Sequence, residues 1–251
     1  YESRPNVTVD ASGLAIKSGN SIILRSGSDG FETSNYISKI IRNSLKEVGL
    51  QENVVQIIPT KERAAVGHLL GMSDFIDVII PRGGRSLVER VQKEAKVPVF
   101  SHLEGVCHTY IDRYADLQKA ISITVNAKMR RTGICGATET LLIDKEICEK
   151  FLPPIANALK ELGCNLHGDE KSKKILTEIN SAKEEDWSKE YLSADLSIKV
   201  VDDIYEAINH IAKYGTQHTE AIITEDKENA KTFTSIVDSA IVMINASTQF
   251  A

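Results

Sequence analysis

The stretch LSIKVVDDIYEAINHIAKYGTQHTEAIIT, residues 196–224, sets the fold class. Its first and last segments are β-branched apolar runs, and the segment between them has the pattern of an amphipathic helix. A strand, a helix and a second strand in this order form the βαβ unit of a parallel sheet. The stretch therefore predicts an α/β fold.

The same alternation continues over most of the chain, and amphipathic stretches separate the apolar runs. Up to residue 144, the predicted strands are residues 21–25, 53–58, 77–81, 97–103, 108–112 and 140–144. We predict two α/β units with parallel sheets that meet near residue 125. The polar segment 171–190 is predicted to be a solvated surface segment.

Composition argues against several kinds of protein. The formal net charge is -5, and basic residues are scattered among acidic ones, whereas a nucleic-acid binder needs a concentrated basic face. No apolar run approaches the roughly 18 to 20 residues that span a bilayer, and no secretory leader pattern opens the sequence. We therefore expect neither a nucleic-acid nor a membrane partner, and a cytoplasmic location.

The cysteines are predicted to be reduced thiols, because they are few and show no CxxC spacing. Cys135 differs from the others in its setting: it lies in RTGICGATET, residues 131–140, between glycines and ahead of an apolar strand. Glycines leave room for a substrate, and a following backbone amide could bind an oxyanion. Cys135 is thus either a nucleophile or a small buried hydrophobe. Cys148 and Cys164 lack this setting and are predicted to be core residues.

Two small-residue turns follow predicted strands. SGSDG, residues 26–30, comes directly after Arg25, and PRGGRS, residues 81–86, contains Gly83 and Gly84. Both turns are expected at the carboxyl edge of a sheet, where open α/β proteins bind ligands. A glycine pair ahead of a helix lets a phosphate approach the backbone. Ordinary turn formation explains the same pattern, so both interpretations stay open.

The sequence offers little sign of a metal site. His102, Glu104 and His108 alternate in SHLEGVCHTY, but a metal site needs a convergent further ligand that the sequence does not supply. We expect a structural or orienting role for these residues and no bound metal. GxSxG, Walker-type and HExxH patterns do not occur in the sequence, which argues against three common enzyme classes.

Distinctive motifs occur in order from the beginning of the chain to its end. They are ESRPN, KSGNSIILRSGSDG, DVIIPRGG, VNAKMRRTGICGATETLL, GDE, EEDW, YGTQHTEAIITED and SAIVMINASTQFA. Together they resemble the gamma-glutamyl phosphate reductases, also called glutamate-5-semialdehyde dehydrogenases, of the aldehyde dehydrogenase superfamily. The resemblance implies an aldehyde dehydrogenase-like fold with an NADP-binding domain over residues 1–125 and a catalytic cysteine domain over residues 126–251. It also implies that N- and C-terminal parts of the family chain are absent here.

The resemblance implies an activity as well. The family reduces L-glutamyl 5-phosphate with NADPH to L-glutamate 5-semialdehyde and phosphate in proline biosynthesis, and Cys135 matches its nucleophile, which forms a thioester. A homo-oligomer of the full-length protein and a functional link to glutamate kinase are implied too. The alternatives are another thiol-dependent aldehyde or acyl-CoA dehydrogenase, or a truncated and catalytically silent α/β module.

The cofactor preference is inferred from two positions. Many superfamily members that prefer NAD have a lysine and, three residues later, a glutamate that holds the ribose hydroxyls; the matching residues here are Arg25 and Ser28. A cation and a hydroxyl accommodate a 2′-phosphate, which favours NADPH.

Hydrolytic members of the superfamily carry a glutamate base at the position that aligns with His102, and Glu104 lies two residues further along the chain. Reductive release requires no such base.

Other candidates follow from their places in the family motifs. Glu190 falls near a glutamate that contacts the nicotinamide ribose, and Arg131 has the guanidinium that suits a phosphate or carboxylate, or else is a solvated surface residue. The substrate or oxyanion candidates are Ser3, Asn6, Asn126 and Arg131. The cofactor-binding candidates are Arg25, Ser28, Gly83, Gly84 and Glu190.

Overall fold

The structure is a computed structural model that describes residues 1–2, 4–101 and 104–250, apart from the Arg85 side chain. It divides into two compact units, Tyr1–Leu103 and Glu104–Ala251. Each unit contains parallel strands with helices beside them, so the predicted α/β class with two parallel sheets is confirmed. In the described part of the chain, no helix is long and apolar enough to cross a bilayer.

The first unit has a two-stranded parallel sheet, β1–β2, with Leu24, Leu45 and Val55 in its core. Its elements are α1 (Asn6–Lys17), β1 (Ile22–Leu24), α2 (Phe31–Glu47), β2 (Val55–Ile57), α3 (Ala64–Leu70) and α4 (Arg85–Glu94). The strands predicted at residues 77–81 and 97–103 form, within the described residues, only an isolated parallel bridge between Ile79 and Val99. Pro98, beside this bridge, has no backbone N–H to donate, which limits the number of hydrogen bonds between the two segments.

The second unit has a seven-stranded sheet in the order β6-β5-β7-β4-β3-β8-β9, and each neighbouring pair is parallel. Its strands are β3 (Cys107–Ile111), β4 (Thr138–Asp144), β5 (Asn165–Gly168), β6 (Asn180–Ser181), β7 (Asp195–Val201), β8 (Thr219–Ile223) and β9 (Ile241–Ile244). Its helices are α5 (Leu117–Met129), α6 (Cys148–Glu161), α7 (Glu170–Ile175), α8 (Ile204–Tyr214) and α9 (Lys227–Ile236).

Two hydrophobic clusters cover the two faces of this sheet. Successive strand residues point to opposite faces, and accordingly Leu141 and Ile143 belong to the cluster that includes α6, whereas Leu142 belongs to the cluster that includes α8 and α9. All residues of β4 are buried, as expected for a parallel strand with both faces covered. The core therefore fixes β4 firmly, and with it the end of the loop that carries Cys135.

The boundary between the units lies at residues 103 and 104 rather than near residue 125. Strand β3 pairs with β4 and β8 of the second unit, and α5 begins at Leu117 with its amino end capped by the Asp116 side chain. Periodicity showed these elements but not their pairing partners, because strand pairing depends on residues far apart in sequence. The two compact units of the structure thus divide before β3 and α5, earlier in the chain than the predicted residue 125.

The polar segment 171–190 is more buried than its composition predicts. It contains α7, β6 and a 3-10 turn, Glu184–Ser188. Within it, Ile179 and Trp187 are buried hydrophobic residues, and Asp186 is buried as well. Isolated apolar residues in a charged segment have no periodicity that would mark them as core residues. The prediction of a solvated segment is therefore wrong for these positions.

Candidate active site

The loop between α5 and β4 carries Cys135 in a half-buried position with a free thiol. A hydrogen bond from the Ala137 amide to the Ile134 carbonyl, 2.9 Å long, forms a turn around the cysteine. Within residues 104–250, no backbone carbonyl outside the helices and strands accepts a hydrogen bond from the Cys135 or Gly136 amide. Two amides beside a nucleophile are the donors that an oxyanion requires. Cys148 and Cys164 are buried, as predicted.

The carbonyl group of Cys135 is held by its neighbours. The Cys107 thiol donates to the Cys135 carbonyl oxygen at 3.1 Å, and His218 Nδ1 lies 3.6 Å from the same sulfur. Burial raises the pKa of the Cys107 thiol well above its usual range, so this thiol keeps the proton that it donates. A Cβ at Gly105 would lie 2.1 Å from the Cys135 oxygen, so only glycine permits this close approach.

Glu190 belongs to the same environment. Its Oε1 accepts a hydrogen bond from the Gly105 amide at 2.9 Å, and Gly105 in turn lies against the Cys135 backbone. The predicted contact of Glu190 with the nicotinamide ribose stays a prediction. What the structure adds is a route, through one backbone amide, by which this carboxylate supports the cysteine loop.

The remaining candidates of the second unit lie on either side of the point where α5 ends. Asn126 is on α5, and its Oδ1 is buried without a hydrogen-bond partner among the described residues. An unsatisfied buried acceptor is uncommon and calls for an explanation such as a ligand or an ordered water. Arg131 is exposed, and its backbone carbonyl accepts from Gln249 Nε2 at 3.1 Å. Their predicted roles in substrate binding stay predictions.

In the first unit, the chain start brings the two glycine-containing turns together. The Tyr1 backbone nitrogen donates to the Arg25 carbonyl at 2.9 Å, and the Glu2 amide donates to the Arg82 carbonyl at 3.1 Å. A Cβ at Gly83 would lie 2.8 Å from Glu2 Cγ. The Glu2 side chain thus fills the space beside the glycine pair, where a phosphate was predicted.

The other candidate residues of the first unit lie on different elements and have different partners. Arg25 is half-buried and donates through Nη2 to the Lys61 carbonyl at 3.0 Å, while Ser28 is exposed. Gly84 is the residue before α4. Asn6 begins α1, and its side-chain Nδ2 donates to the Asp10 carboxylate at 3.1 Å. Ser3 and His102 lie outside the described residues.

A buried ion pair closes the base of the cysteine loop, and sequence analysis did not anticipate it. Lys128, in the last turn of α5, bonds to Glu139, the second residue of β4, and both side chains are fully buried. Burial raises the pKa of Glu139 to about 7, although Lys128 opposes the shift. The Leu192 amide donates to Glu139 Oε1 at 3.5 Å. In the sequence, the one hint of this pair was a glutamate among the small and apolar residues of GATETLL, residues 136–142.

His108 has a structural partner. Its ring Nδ1 and its backbone amide both contact Glu220 Oε2, at 3.0 and 2.7 Å, and both side chains are fully buried. The expectation that His108 has a structural or orienting role agrees with this contact. Among the described residues, no group of three or more histidine, cysteine, aspartate or glutamate side chains is arranged to hold a metal ion.

His210 lies beside this pair in an aromatic environment. Its ring is edge-on to His108 and to Trp187, with centroids 5.5 Å away in each case, and 4.6 Å from the ring of Tyr214. Burial lowers the pKa of His210 to about 2, and the positive charges of nearby basic side chains act in the same direction. The ring is therefore neutral near pH 7.

We expect His210 to make the protein less stable in mild acid. An unfolded histidine takes up a proton below about pH 6.5 while the buried ring stays neutral, so the contribution of His210 to the free energy of unfolding falls as pH falls below that value. Between about pH 7 and about pH 5.5 this linkage amounts to roughly 1 kcal/mol. Urea unfolding followed by fluorescence of Trp187, the single tryptophan, measures it. His210→Phe should remove this loss, and His68→Phe on α3, exposed in the other unit, should not. Equal pH dependence in wild type and His210→Phe would contradict the prediction.

Comparison with known proteins identifies the family. Residues 5–195 match the aldehyde dehydrogenase family. The gamma-glutamyl phosphate reductase of Rhodospirillum rubrum is 56% identical over 251 residues, which are 100% of this chain and 59% of that protein. The crystal structure of gamma-glutamyl phosphate reductase from Thermotoga maritima matches with a TM-score of 0.89 and 44% identity, over 100% of this chain and 60% of that one.

A more distant structure shares the fold. The glyceraldehyde-3-phosphate dehydrogenase GapN from Methanocaldococcus jannaschii, complexed with NADP, matches with a TM-score of 0.70 at 20% identity, over 100% of this chain and 64% of that one. The chain thus spans about three fifths of the length of its curated relatives. The resemblance of its motifs to the gamma-glutamyl phosphate reductases is confirmed by these similarities, and the chain belongs to the aldehyde dehydrogenase family.

Proposed function

We propose that the full-length protein catalyses the NADPH-dependent reduction of L-glutamyl 5-phosphate to L-glutamate 5-semialdehyde and phosphate, with Cys135 as the nucleophile. The observation that carries this proposal is the setting of Cys135. Its thiol is half-buried, and its carbonyl oxygen accepts a hydrogen bond from the Cys107 thiol. The amides of Cys135 and Gly136 donate to no backbone carbonyl within residues 104–250. The 56% identity to a gamma-glutamyl phosphate reductase supports the choice of substrate.

The chemistry follows from this setting. The Cys135 thiolate attacks the acyl carbon of glutamyl phosphate, the carbonyl oxygen gains negative charge, and the backbone amides at residues 135 and 136 stabilise that charge. The carbon–oxygen bond to phosphate then breaks and leaves a thioester on Cys135. Bound NADPH supplies the hydride for the reduction. Cleavage of the carbon–sulfur bond releases the aldehyde and restores the thiolate.

Residues of the first unit fit the cofactor in part. Arg25 has a buried Nε without a hydrogen-bond partner among the described residues, and Ser28 offers an exposed hydroxyl. This donor set suits a 2′-phosphate, which distinguishes NADPH from NADH. The Gly83–Gly84 turn fits a phosphate less well, because the Glu2 carboxylate lies 3.6 Å from the position of a Cβ on Gly84. We therefore assign cofactor preference to Arg25 and Ser28.

We also infer the protein's place in metabolism from this reaction. Its substrate is an acyl phosphate of the kind that glutamate kinase forms, and its product serves proline biosynthesis. A homo-oligomer is proposed for the full-length protein. These inferences depend on the substrate assignment and are tested with it.

The reverse reaction tests the proposed function. Full-length protein with glutamate 5-semialdehyde should reduce NADP over many turnovers only when inorganic phosphate is present, because phosphate must attack the thioester carbonyl and displace the Cys135 sulfur before the next turnover. Reduction that needs coenzyme A instead would identify the alternative acyl-CoA dehydrogenase. Reduction without either acceptor would indicate a hydrolytic aldehyde dehydrogenase. No reduction under any condition would favour the catalytically silent alternative.

We expect Arg25→Ala to change cofactor use selectively. Loss of a charge-assisted hydrogen bond to the 2′-phosphate should raise KM for NADPH by about 10- to 100-fold and leave KM for NADH within about twofold. Steady-state kinetics with both cofactors measure this. Lys17→Ala, which removes the same charge from the exposed end of α1, should change neither value. A matched loss with both cofactors would mean that Arg25 acts only through its bond to the Lys61 carbonyl.

A further inference from the structure

A short turn after β9 lies against the cysteine loop. This turn, Thr248–Phe250, is a 3-10 segment in which Thr248 is fully buried and Gln249 is 8% exposed. It belongs to the second unit, as the cysteine loop does. Its residues contact the loop both before and after Cys135, so it can determine the position of the nucleophile from two sides.

Gln249 makes the contacts before the cysteine. Its Nε2 donates to the Ala127 carbonyl at 2.8 Å and to the Arg131 carbonyl at 3.1 Å. Ala127 is in the last turn of α5, where carbonyl groups lack partners within the helix. One buried amide group thus joins the end of the helix to the start of the loop.

Thr248 makes the contacts after the cysteine. A Cβ at Gly136 would lie only 3.0 Å from the Thr248 carbonyl oxygen, so the backbone of residue 136 packs directly on the turn. The Thr248 hydroxyl lies 2.9 Å from the Thr138 hydroxyl, which is 2.7 Å from the Thr109 hydroxyl. All of these threonines are fully buried. The hydroxyl chain links the turn to the first residue of β4 and to β3.

We propose that Thr248 and Gln249 are positioning residues for Cys135. Among the described residues, the hydrogen bonds of these two side chains go to groups other than the Cys135 thiol. The two residues act through the loop backbone, by fixing residues 131 and 136 on either side of the nucleophile. By this proposal, the turn fixes the orientation of the Cys135 and Gly136 amides and of the Cys135 thiol. The kinetic part of the test rests on the proposed function, whereas the thiol-reactivity part does not.

The test compares three variants of the full-length protein. Thr248→Val keeps the shape of the side chain but removes the hydroxyl, Thr248→Ser keeps the hydroxyl but removes a methyl group, and Gln249→Met removes the amide donors at nearly constant length. Gln56→Met is the control, because Gln56 also donates through its amide to a backbone carbonyl, that of Asn53 at 3.0 Å, in the first unit. For each protein, the rate of iodoacetamide alkylation at Cys135 is followed by mass spectrometry, and kcat and KM are measured.

Positioning predicts a specific pattern. Thr248→Val and Gln249→Met should lower kcat by about 10- to 100-fold with KM changed by less than about twofold, since a small displacement of a nucleophile is enough for such a loss. Both should change the alkylation rate at Cys135 by at least about twofold. Thr248→Ser should stay within about threefold of wild type, and Gln56→Met should equal it.

Two results would overturn the proposal. If Thr248→Ser is impaired as much as Thr248→Val, side-chain packing matters rather than the hydroxyl. If alkylation and kcat are unchanged in both Thr248→Val and Gln249→Met, the turn does not position the loop. Should Gln249→Met fail to fold, the two Thr248 variants decide the question by themselves. If wild type lacks the proposed activity but the variants change alkylation as expected, positioning stands and the proposed function fails.

Discussion

Full-length protein with Cys135→Ala should lose the proposed phosphate-dependent reaction, by at least about 10⁴-fold in kcat. The expected loss is this large because the thioester cannot form without the sulfur, and the other parts of the site bind and orient but do not replace a nucleophile. Cys135→Ser should be nearly as inactive, since a hydroxyl without an activating base is a poor nucleophile.

A second readout connects the loss to the mechanism. Wild-type protein incubated with glutamyl phosphate and no reduced cofactor should gain the mass of a glutamyl group at Cys135, and Cys135→Ala should not. Cys164→Ala is the matched control, because it removes a thiol that is buried in the hydrophobic core of the same unit. That variant should keep its activity. More than a tenth of wild-type activity in Cys135→Ala would remove this residue from the mechanism.

The buried ion pair at the base of the loop should give the largest effect on stability. Lys128→Met leaves the Glu139 carboxylate buried with only a 3.5 Å contact from the Leu192 amide, and breaking a buried pair in this way costs about 3–5 kcal/mol. The double variant Lys128→Met, Glu139→Leu should recover most of that loss, since well-packed apolar residues can replace a buried pair at little cost. Urea unfolding followed by Trp187 fluorescence measures both.

The pH dependence of Lys128→Met has a definite sign. Burial raises the pKa of Glu139 to about 7 even with Lys128 present, and removal of the lysine raises it further. A raised carboxyl pKa means that the folded state binds a proton more tightly than the unfolded state, so stability is lost as pH rises through the folded pKa. The deficit of Lys128→Met should therefore be smaller near pH 5.5 than near pH 8.

An exposed pair provides the control for this experiment. Lys119 and Glu225 are 2.7 Å apart, and each side chain is about half exposed. Lys119→Met should cost less than about 1 kcal/mol, because water screens such a pair. A cost for Lys128→Met no greater than that of Lys119→Met would contradict the assignment of a buried, charged pair at the base of the loop.

Much of the fold followed from local patterns. The stretch 196–224 predicts a strand, a helix and a strand, and the structure has β7, α8 and β8 there. Strand β4 and the loop before it were also expected, because an apolar run after a glycine-flanked cysteine is a local signal. The position where the first unit ends was not expected, because β3 belongs to the second sheet through hydrogen bonds with β4 and β8.

The sequence by itself determined the α/β class, the strand and helix order, and Cys135 as the candidate nucleophile. These features depend on side-chain periodicity and on backbone freedom within a few residues. Only the tertiary structure decided what holds that cysteine: Gln249 reaches Ala127 across 122 positions of the chain, and Glu190 reaches Gly105 across 85. Such contacts leave no local pattern, because each partner is an ordinary polar residue until folding removes water from both and makes their hydrogen bond necessary.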